Sequence, residues 1–449
     1  MPFSSKGWRL DLNRSILRLA IPNIVASLSV PMVGIVDIAL VGHLPDVAFM
    51  GAVAVGSVVL DTLFWGCAFL RMGTTALVAQ HHGAGRVRAC GEVLLQALMV
   101  SVVLGLLLIF LRETIASVGF RVAGGSEEVT LWAQRYFAIR ILSAPLVLVS
   151  FAIIGFLRGV ADVVTPMWMT ILIHLTNVVG DYVLIYGKWG APQLGVAGAA
   201  WASVLAYVVG ILFGAVVLIW RYGETLRVPL AGVFSRASLR AMAGTHLALF
   251  GRTACLLFAQ FFMMSTVARM GEGQLAAHAV LWQIWSLVSY CVDGFAHAAE
   301  TLVGMRLGAR DFAGARKVAT RCLWLGGGLG AGYAVVYFLG IGPIAGLFTV
   351  HGEVVERVTS MVFWVAACQP INGVVFILDG ILIGANDTRY LFLAMAAAAF
   401  GVYLPATLLF VQAMGFGLAG AWMGYNCLMA ARLATLSWRY RGGRWERSM

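Results

Sequence analysis

Gly155-Phe-Leu-Arg-Gly159-Val-Ala-Asp162 and Gly380-Ile-Leu-Ile-Gly384-Ala-Asn-Asp387 lie 225 residues apart and share Gly155/Gly380, Leu157/Leu382, Gly159/Gly384 and Asp162/Asp387. At the same offset, residues 73–84 match 298–309 through Leu77/Leu302, Val78/Val303, Gly83/Gly308 and Ala84/Ala309. A third match, Gly195-Val-Ala-Gly-Ala against Gly417-Leu-Ala-Gly-Ala, falls at an offset of 222. Three collinear matches mark an internal duplication, so the fold of one half predicts the fold of the other.

Composition says what is duplicated. Of 449 residues, 61% are hydrophobic and 11% charged, against about 25% charged in a soluble domain. A bilayer-spanning helix needs about 20 predominantly apolar residues. Such runs fall near 15–41, 48–70, 90–111, 131–155, 164–186, 195–219, 243–268, 275–304, 318–341, 354–383, 389–413 and 417–437. The expected fold class is therefore an all-α polytopic membrane protein of twelve transmembrane helices in two six-helix lobes. Residues 1–219 form the first lobe, 220–242 a basic cytoplasmic linker, and 243–449 the second lobe with a basic tail. Six is even, so both lobes insert with the same orientation. Transporters built from such repeats hold substrate and coupling ions near mid-membrane and expose them alternately by rocking. The first run follows Lys6, Arg9, Arg14 and Arg18 like a signal peptide, but its length and its Pro22, Pro31 and Asp37 predict a retained helix.

The same composition excludes disorder, a secreted disulfide scaffold and a nucleic-acid-binding module. Seven cysteines without paired spacing, mostly inside apolar runs, read as buried thiols. The net charge of +11 is an orientation signal: 23 of the 31 Lys and Arg residues fall on the side holding both termini and the connections near 71–89, 156–163, 220–242, 305–321 and 384–389. The positive-inside rule places that side, and both termini, in the cytoplasm. A bacterial inner membrane is the expected location.

Ionisable side chains at membrane depth are costly and are functional candidates by default. The spans hold Asp37, Asp61, Asp181, Asp293, Glu300 and Asp379, with Arg135, Arg140 and Arg252 as possible partners. On the fifth span His174, Asn177 and Asp181 fall at i, i+3 and i+7, one helix face. That stripe can bind a proton or ligate a hard cation through oxygens, or it can pack helices by hydrogen bonds. On the eighth span Asp293, His297 and Glu300 repeat the pattern, and with Asp379 they form a possible second-lobe polar site. The repeat sets Asn177 and Asp181 opposite Val402 and Ala406, so the lobes diverge in their polar sites. Pro22 and Pro31 precede Asp37 on the first span and permit bending there. Trp65, Met264, Trp282, Trp285 and Phe376 lie in the inner thirds of their spans and are candidates to line a cavity for flat, apolar ligands.

Ile21-Pro22 with Asp37 and Gly42, Leu157-Arg158-Gly159 with Asp162, Asn177 with Asp181, Gly195-Val-Ala-Gly-Ala-Ala, Ala268-Arg269-Met-Gly271, Ala276-Ala-His278 and Asp293-Gly294 running to Ala299-Glu300-Thr-Leu-Val-Gly304 together resemble the multidrug and toxic compound extrusion family over nearly the whole chain. Arg71-Met72-Gly73-Thr-Thr75, Asp293-Gly294 and Ala299-Glu300 look most like its DNA-damage-inducible branch. The resemblance implies export of amphipathic, often cationic or aromatic, small molecules in exchange for protons or sodium ions. It implies a proton or sodium site on Asp37, Asn177 and Asp181, with Pro22 as the point about which the first helix bends. It implies a hydroxyl on span six, for which Ser203 is the nearest match. Second-lobe coupling residues of relatives fall here on Gln260 and Asn372, so that version of the site is absent. Beyond the coupling ion no cofactor is expected; the partners are the lipid bilayer and the transported molecules, no nucleic acid is involved, and the chain is read as a monomer.

Two alternatives stand beside this reading. A flippase for lipid-linked sugar precursors would favour a basic cavity. An intramembrane enzyme would need a catalytic constellation, and neither His-Glu-x-x-His nor Gly-x-Ser-x-Gly occurs. The orientation has a direct test. A fluorescent-protein fusion at the carboxyl terminus should fluoresce and an alkaline phosphatase fusion there should be inactive; an active phosphatase would reverse the topology.

Overall fold

The structure is a computed structural model that describes residues 12–447 apart from Pro45, Gly125, residues 229–232 and Phe234. Among the described residues the chain is helical. We number the helices α1 (Leu12–Val41), α2 (Ala48–Gly83), α3 (Val87–Phe110), α4 (Arg112–Ala123), α5 (Glu127–Gly159), α6 (Val164–Tyr186) and α7 (Val196–Leu226). The second half follows as α8 (Arg236–Ala268), α9 (Glu272–Gly308), α10 (Phe312–Gly346), α11 (Gly352–Ser360), α12 (Val362–Gly384), α13 (Thr388–Ala413) and α14 (Gly417–Arg441). Eleven of these are long and apolar enough to cross a membrane. The twelfth crossing is α14, whose 25 residues at about 1.5 Å each exceed a hydrocarbon core of about 30 Å. Its composition is more polar because it carries Asn426 and Arg432. The protein is a multi-pass membrane protein.

Two short helices, α4 and α11, fall where the sequence predicts a loop and part of a span. The expected tenth span, 354–383, is in fact two elements. Glu353, Glu356 and Arg357 make α11 amphipathic and unfit for hydrocarbon, the chain turns at Met361, and only α12 crosses. The expected linker 220–242 is also shorter than the sequence suggests, because α7 continues to Leu226 and α8 begins at Arg236. Val233 and Ser238, the latter in the first turn of α8, are held to α3: the buried Gln96 side chain donates to the Val233 carbonyl at 2.7 Å and to Ser238 Oγ at 2.9 Å.

The repeat is visible in the backbone. Ala161 (φ 62°) and Asn386 (φ 59°), Gly85 (φ 72°) and Arg310 (φ 58°), and Gly195 (φ 56°) and Gly417 (φ 53°) are left-handed turns at matching places. Helix α5 crosses α2 at contact distance: a Cβ on Gly155 would meet the Arg71 carbonyl oxygen at 2.7 Å, and one on Gly159 would meet Val78 Cβ at 2.6 Å. Helix α12 crosses α9 the same way, with Gly380 against the Ala296 carbonyl and Gly384 against the Glu300 carbonyl, each at 2.3 Å from the added Cβ. Without a hydrophobic force between helices in lipid, such small-residue contacts carry association. The aspartates that follow do equivalent work. Asp162 accepts from the Thr165 amide and hydroxyl and from Arg221 Nη1 at 3.4 Å, while Asp387 accepts from Arg439 Nε at 2.6 Å. Arg221 and Arg439 sit in two Trp-Arg-Tyr triplets, 220–222 and 438–440, a further repeat at an offset of 218.

The contacts divide the chain into two compact units, Val25–Ala243 and the described residues up to Ile24 together with those from Gly244 on. Helix α1 runs unbroken through Pro22 and Pro31, so its first part belongs to one unit and its remainder to the other. All seven cysteines are free thiols.

The glycine contacts make a prediction. Gly380→Ala should lower the melting temperature in detergent, with a cost of about 1–3 kcal/mol from overpacking. Gly332→Ala, where nothing lies within 4 Å of the added Cβ, should not. Equal effects of the two would show that the α9/α12 crossing is loose.

Candidate functional site

In the unit Val25–Ala243, α1 and α6 lie side by side and are tied along their length. The His174 ring hydrogen-bonds the Ser29 backbone, and the Tyr186 hydroxyl donates to the Leu40 carbonyl. Between these ties the Asp37 and Asp181 carboxyl groups come within interaction range of each other. Asp181 is 1% exposed and Asn177 is buried one turn before it, while Asp37 is half-buried. Each aspartate keeps one oxygen, Oδ1, buried with no partner.

The third wall comes from α7. A Cβ on Gly180 would lie 3.0 Å from Ala202 Cβ, and one on Gly198 would lie 2.6 Å from the Leu184 carbonyl oxygen and carbon. Small residues thus let α6 and α7 approach closely, and this brings Ser203 to Asn177. The Asn177 amide donates to Ser203 Oγ at 3.2 Å, and Ser203 in turn donates to the Ala199 carbonyl at 3.2 Å.

Helices α2 and α5 add a mixed-charge flank. Arg140 donates to the Tyr136 hydroxyl at 2.9 Å, and that hydroxyl meets Ser57 Oγ at 3.2 Å. Asp37, Asp61, Tyr136 and Tyr207 are the groups whose electrostatic influence reaches Arg140. Asp61 is exposed, and Trp65, one turn later on α2, is 39% exposed. The interior of this unit therefore gathers three carboxyl groups around one guanidinium. Arg135 lies elsewhere, over the Trp132 ring at 4.6 Å.

The other unit is different. His297 Nδ1 lies 3.2 Å from Glu300 Oε2, on the same helix as Asp293. Asp379 does not join them, although the sequence grouped it there. Its Oδ2 accepts from Arg252 on α8 and from Arg432 on α14. Trp282, Trp285 and Phe376 do come together: Trp282 and Trp285 stack at 5.1 Å, and Trp285 meets Phe376 edge-on at 6.1 Å. Met264 is exposed and takes no part in that group. Gln260 hydrogen-bonds Tyr425, and Asn372 donates to Gln369 Oε1 at 3.1 Å. On α13, whose Val402 and Ala406 correspond in the repeat to Asn177 and Asp181, two π-helical stretches, Ala397–Tyr403 and Leu409–Ala413, flank Pro405.

Sequence reasoning did not single out Ser57, Tyr136, Tyr207 or Arg432 as site residues. Tyr136 and Arg140 carry a readable signal, a polar pair at i and i+4 within an apolar span. The others are brought in only by tertiary contact.

Two bundles of six spans, joined by duplication and each with buried ionisable groups, define a membrane transporter of the repeat-built class. The MatE family profile matches residues 22–183 and 249–419, and the chain belongs to this family, the multidrug and toxic compound extrusion (MATE) transporters. It is 32% identical to DNA damage-inducible protein F of Escherichia coli (strain K12) over 96% of this chain and 94% of that one. It is 26% identical to the probable multidrug resistance protein NorM of Rhizobium meliloti (strain 1021), over 97% and 94% of the two chains. A solved structure described as MATE in the bent conformation superposes with a TM-score of 0.88 at 22% identity, covering 98% of this chain and 97% of that one.

The Asn177–Ser203 contact makes a prediction. Ser203→Ala should weaken the apparent affinity for the coupling cation by a few fold, on the order of 1 kcal/mol for a buried hydrogen bond, at unchanged maximal exchange. A lower melting temperature with unchanged cation affinity would reduce Ser203 to a packing residue.

Proposed function

We propose that this protein is an antiporter of a bacterial inner membrane that exports amphipathic, often cationic compounds in exchange for protons, and that the proton is carried by the Asp37–Asp181 pair. The observation that carries this reading is the close approach of the two carboxyl groups in a site where Asp181 is buried. Two carboxylates both lack a hydrogen to donate, so their close approach is stabilised by one shared proton. Loss of that proton leaves two like charges in contact in a poorly solvated site. The repulsion is relieved by separating α1 from α6 or by placing a cation between them. A sodium ion would need several oxygens arranged around it; a proton needs only the two carboxyl groups.

Helix α1 is placed to convert this into motion. Pro22 has no amide hydrogen to close the bond to the carbonyl four residues earlier, and it stands two residues before the point where the contacts of α1 pass from one compact unit to the other. Bending at Pro22 leaves the first turns of α1 in place and moves the turns that carry Asp37. A cationic substrate reaches the same field through exposed Asp61 and the Trp65 face. Substrate and proton then compete by favouring different conformations, as differential binding to two states requires. Cytoplasmic termini complete the reading, because export needs substrate to enter from the basic side.

The test is exchange in proteoliposomes with pH and sodium gradients imposed separately. A pH gradient should drive export of a cationic dye in the wild type. Asp37→Asn and Asp181→Asn should each remove at least about nine-tenths of that flux, while retaining the folded melting transition. Wild-type flux in Asp37→Asn, or export driven by sodium alone, would overturn the assignment.

A further inference from the structure

The outer seam between α6 and α7 holds a groove of about 420 Å³. Its wall on α6 is built from two rows of residues at i, i+4 spacing, Leu175–Val179–Val183 and Thr176–Gly180–Leu184, and Leu205 faces them from α7. Gly180 interrupts the second row. The two helices close at its backbone, where an added Cβ would lie 3.0 Å from Ala202 Cβ, and no side chain fills the notch beside it. Thr176 brings the one polar side chain of the lining. Leu175, Val179 and Leu205 are exposed, so the groove opens away from the interior that holds Asn177 and Asp181.

Such a hollow suits hydrocarbon. A bound water needs several polar partners, and a bare apolar wall forfeits dispersion contacts. Its dimensions choose the form of the hydrocarbon. From Leu175 to Leu184 the helix rises about 14 Å, close to half of a hydrocarbon core of about 30 Å, so the groove runs the depth of one leaflet. At its end the chemistry changes. Gly187 caps α6 in the left-handed conformation and the Lys188 amide returns to the Val183 carbonyl at 3.0 Å, which sets exposed Lys188 one turn beyond the groove wall. Trp189 follows at φ 56° and is exposed, as are Tyr182 and, one turn before Leu205 on α7, Trp201. Aromatic rings beside a lysine are the pattern of the headgroup level.

We propose that this groove binds one phospholipid of the leaflet that α6 reaches at Tyr186, with an acyl chain along Val179 and Leu205 and the phosphate on Lys188. The occupant is a lipid rather than a transported compound because the lining offers one hydroxyl and no charge to orient a polar body, while the single cation stands at headgroup depth. The site lies on the reverse of the carboxyl pair. The inner seam of the same two helices carries the Asn177–Ser203 contact, and a chain seated outside supplies the packing that Gly180 lacks. The inference goes beyond the transport reading and does not rest on it.

Native mass spectrometry of the purified full-length protein in detergent tests this. The probes are dioleoylphosphatidylglycerol, dioctanoylphosphatidylglycerol and glycerol 3-phosphate, which keep the phosphate and differ in the chain. The wild type should retain one dioleoyl lipid after bulk lipid is washed away, bind the dioctanoyl lipid about tenfold more weakly, and ignore glycerol 3-phosphate. Val179→Trp, which fills the groove from its own wall, should weaken the dioleoyl lipid about tenfold. Val336→Trp, at another exposed apolar position of a spanning helix, should not. Lys188→Gln should weaken both lipids severalfold and keep the preference for the longer chain. Added dioleoyl lipid should raise the melting temperature of the wild type and not that of Val179→Trp. The chain-length comparison is made on the wild type and stands even if the tryptophan variant fails to fold. Equal affinity for the two chain lengths, or undiminished retention in a folded Val179→Trp, overturns the proposal. Loss of all lipid on washing, which leaves an annular layer only, also overturns it. So does displacement by glycerol 3-phosphate, which makes the site one for phosphate alone, or by tetraphenylphosphonium, which makes the groove one for transported cations.

Discussion

Backbone-to-backbone contact between helices is the constraint on which each unit depends. Gly155 and Gly159 in α5, and Gly380 and Gly384 in α12, lie where any Cβ would collide with the facing helix. Lipid tails are as apolar as the side chains of a spanning helix, so burial of oily surface does not hold these helices together; close packing of small residues does. Once α5 lies on α2 and α12 lies on α9, the loop aspartates that follow fix the next helices. Asp162 holds the end of α7 through Arg221, and Asp387 holds the end of α14 through Arg439. Both repeats use the same device, and the left-handed residues Ala161 and Asn386 that precede those aspartates turn the chain into it.

On that shared scaffold the two units carry different sets of buried ionisable groups. Near Arg140, between α1, α2, α5 and α6, lie the carboxyl groups of Asp37, Asp61 and Asp181. Around α8, α12 and α14, two guanidinium groups outnumber one carboxylate. Neither arrangement reduces to a stabilising ion pair, because a buried pair roughly repays its own desolvation and an unbalanced one does not. Duplication supplied the two frames; divergence of α6 from α13, the one bearing Asn177 and Asp181 and the other π-helical around Pro405, separated their chemistry.

Much of this was legible in the sequence, and the failures have physical reasons. Span existence follows from hydropathy alone, since hydrocarbon admits only segments whose backbone bonds close internally. The boundary within 354–383 was lost because a window averages charged Glu353, Glu356 and Arg357 with the apolar run beyond Met361. The Trp-Arg-Tyr repeat at 220 and 438 was missed because its offset, 218, departs from the 225 of the other matches. The stripe of Asn177 and Asp181 was readable from helical spacing. Their joining to Asp37 came only from family resemblance, as spacing within one helix says nothing of its neighbour.

The sequence by itself determined the twelve spans, the duplication, and the identity of the few ionisable residues that pay a desolvation cost, because these depend on local composition and on the short-range geometry of a helix. Tertiary structure alone decided which of those residues meet. Asp37 comes within interaction range of Asp181 across 144 positions, and Asp379 turns away from Glu300 to lie between Arg252 and Arg432, 127 and 53 positions distant. Charge at membrane depth acquires its meaning from the partner opposite it, and that partner is set by which helix faces pack together rather than by any run of neighbouring residues.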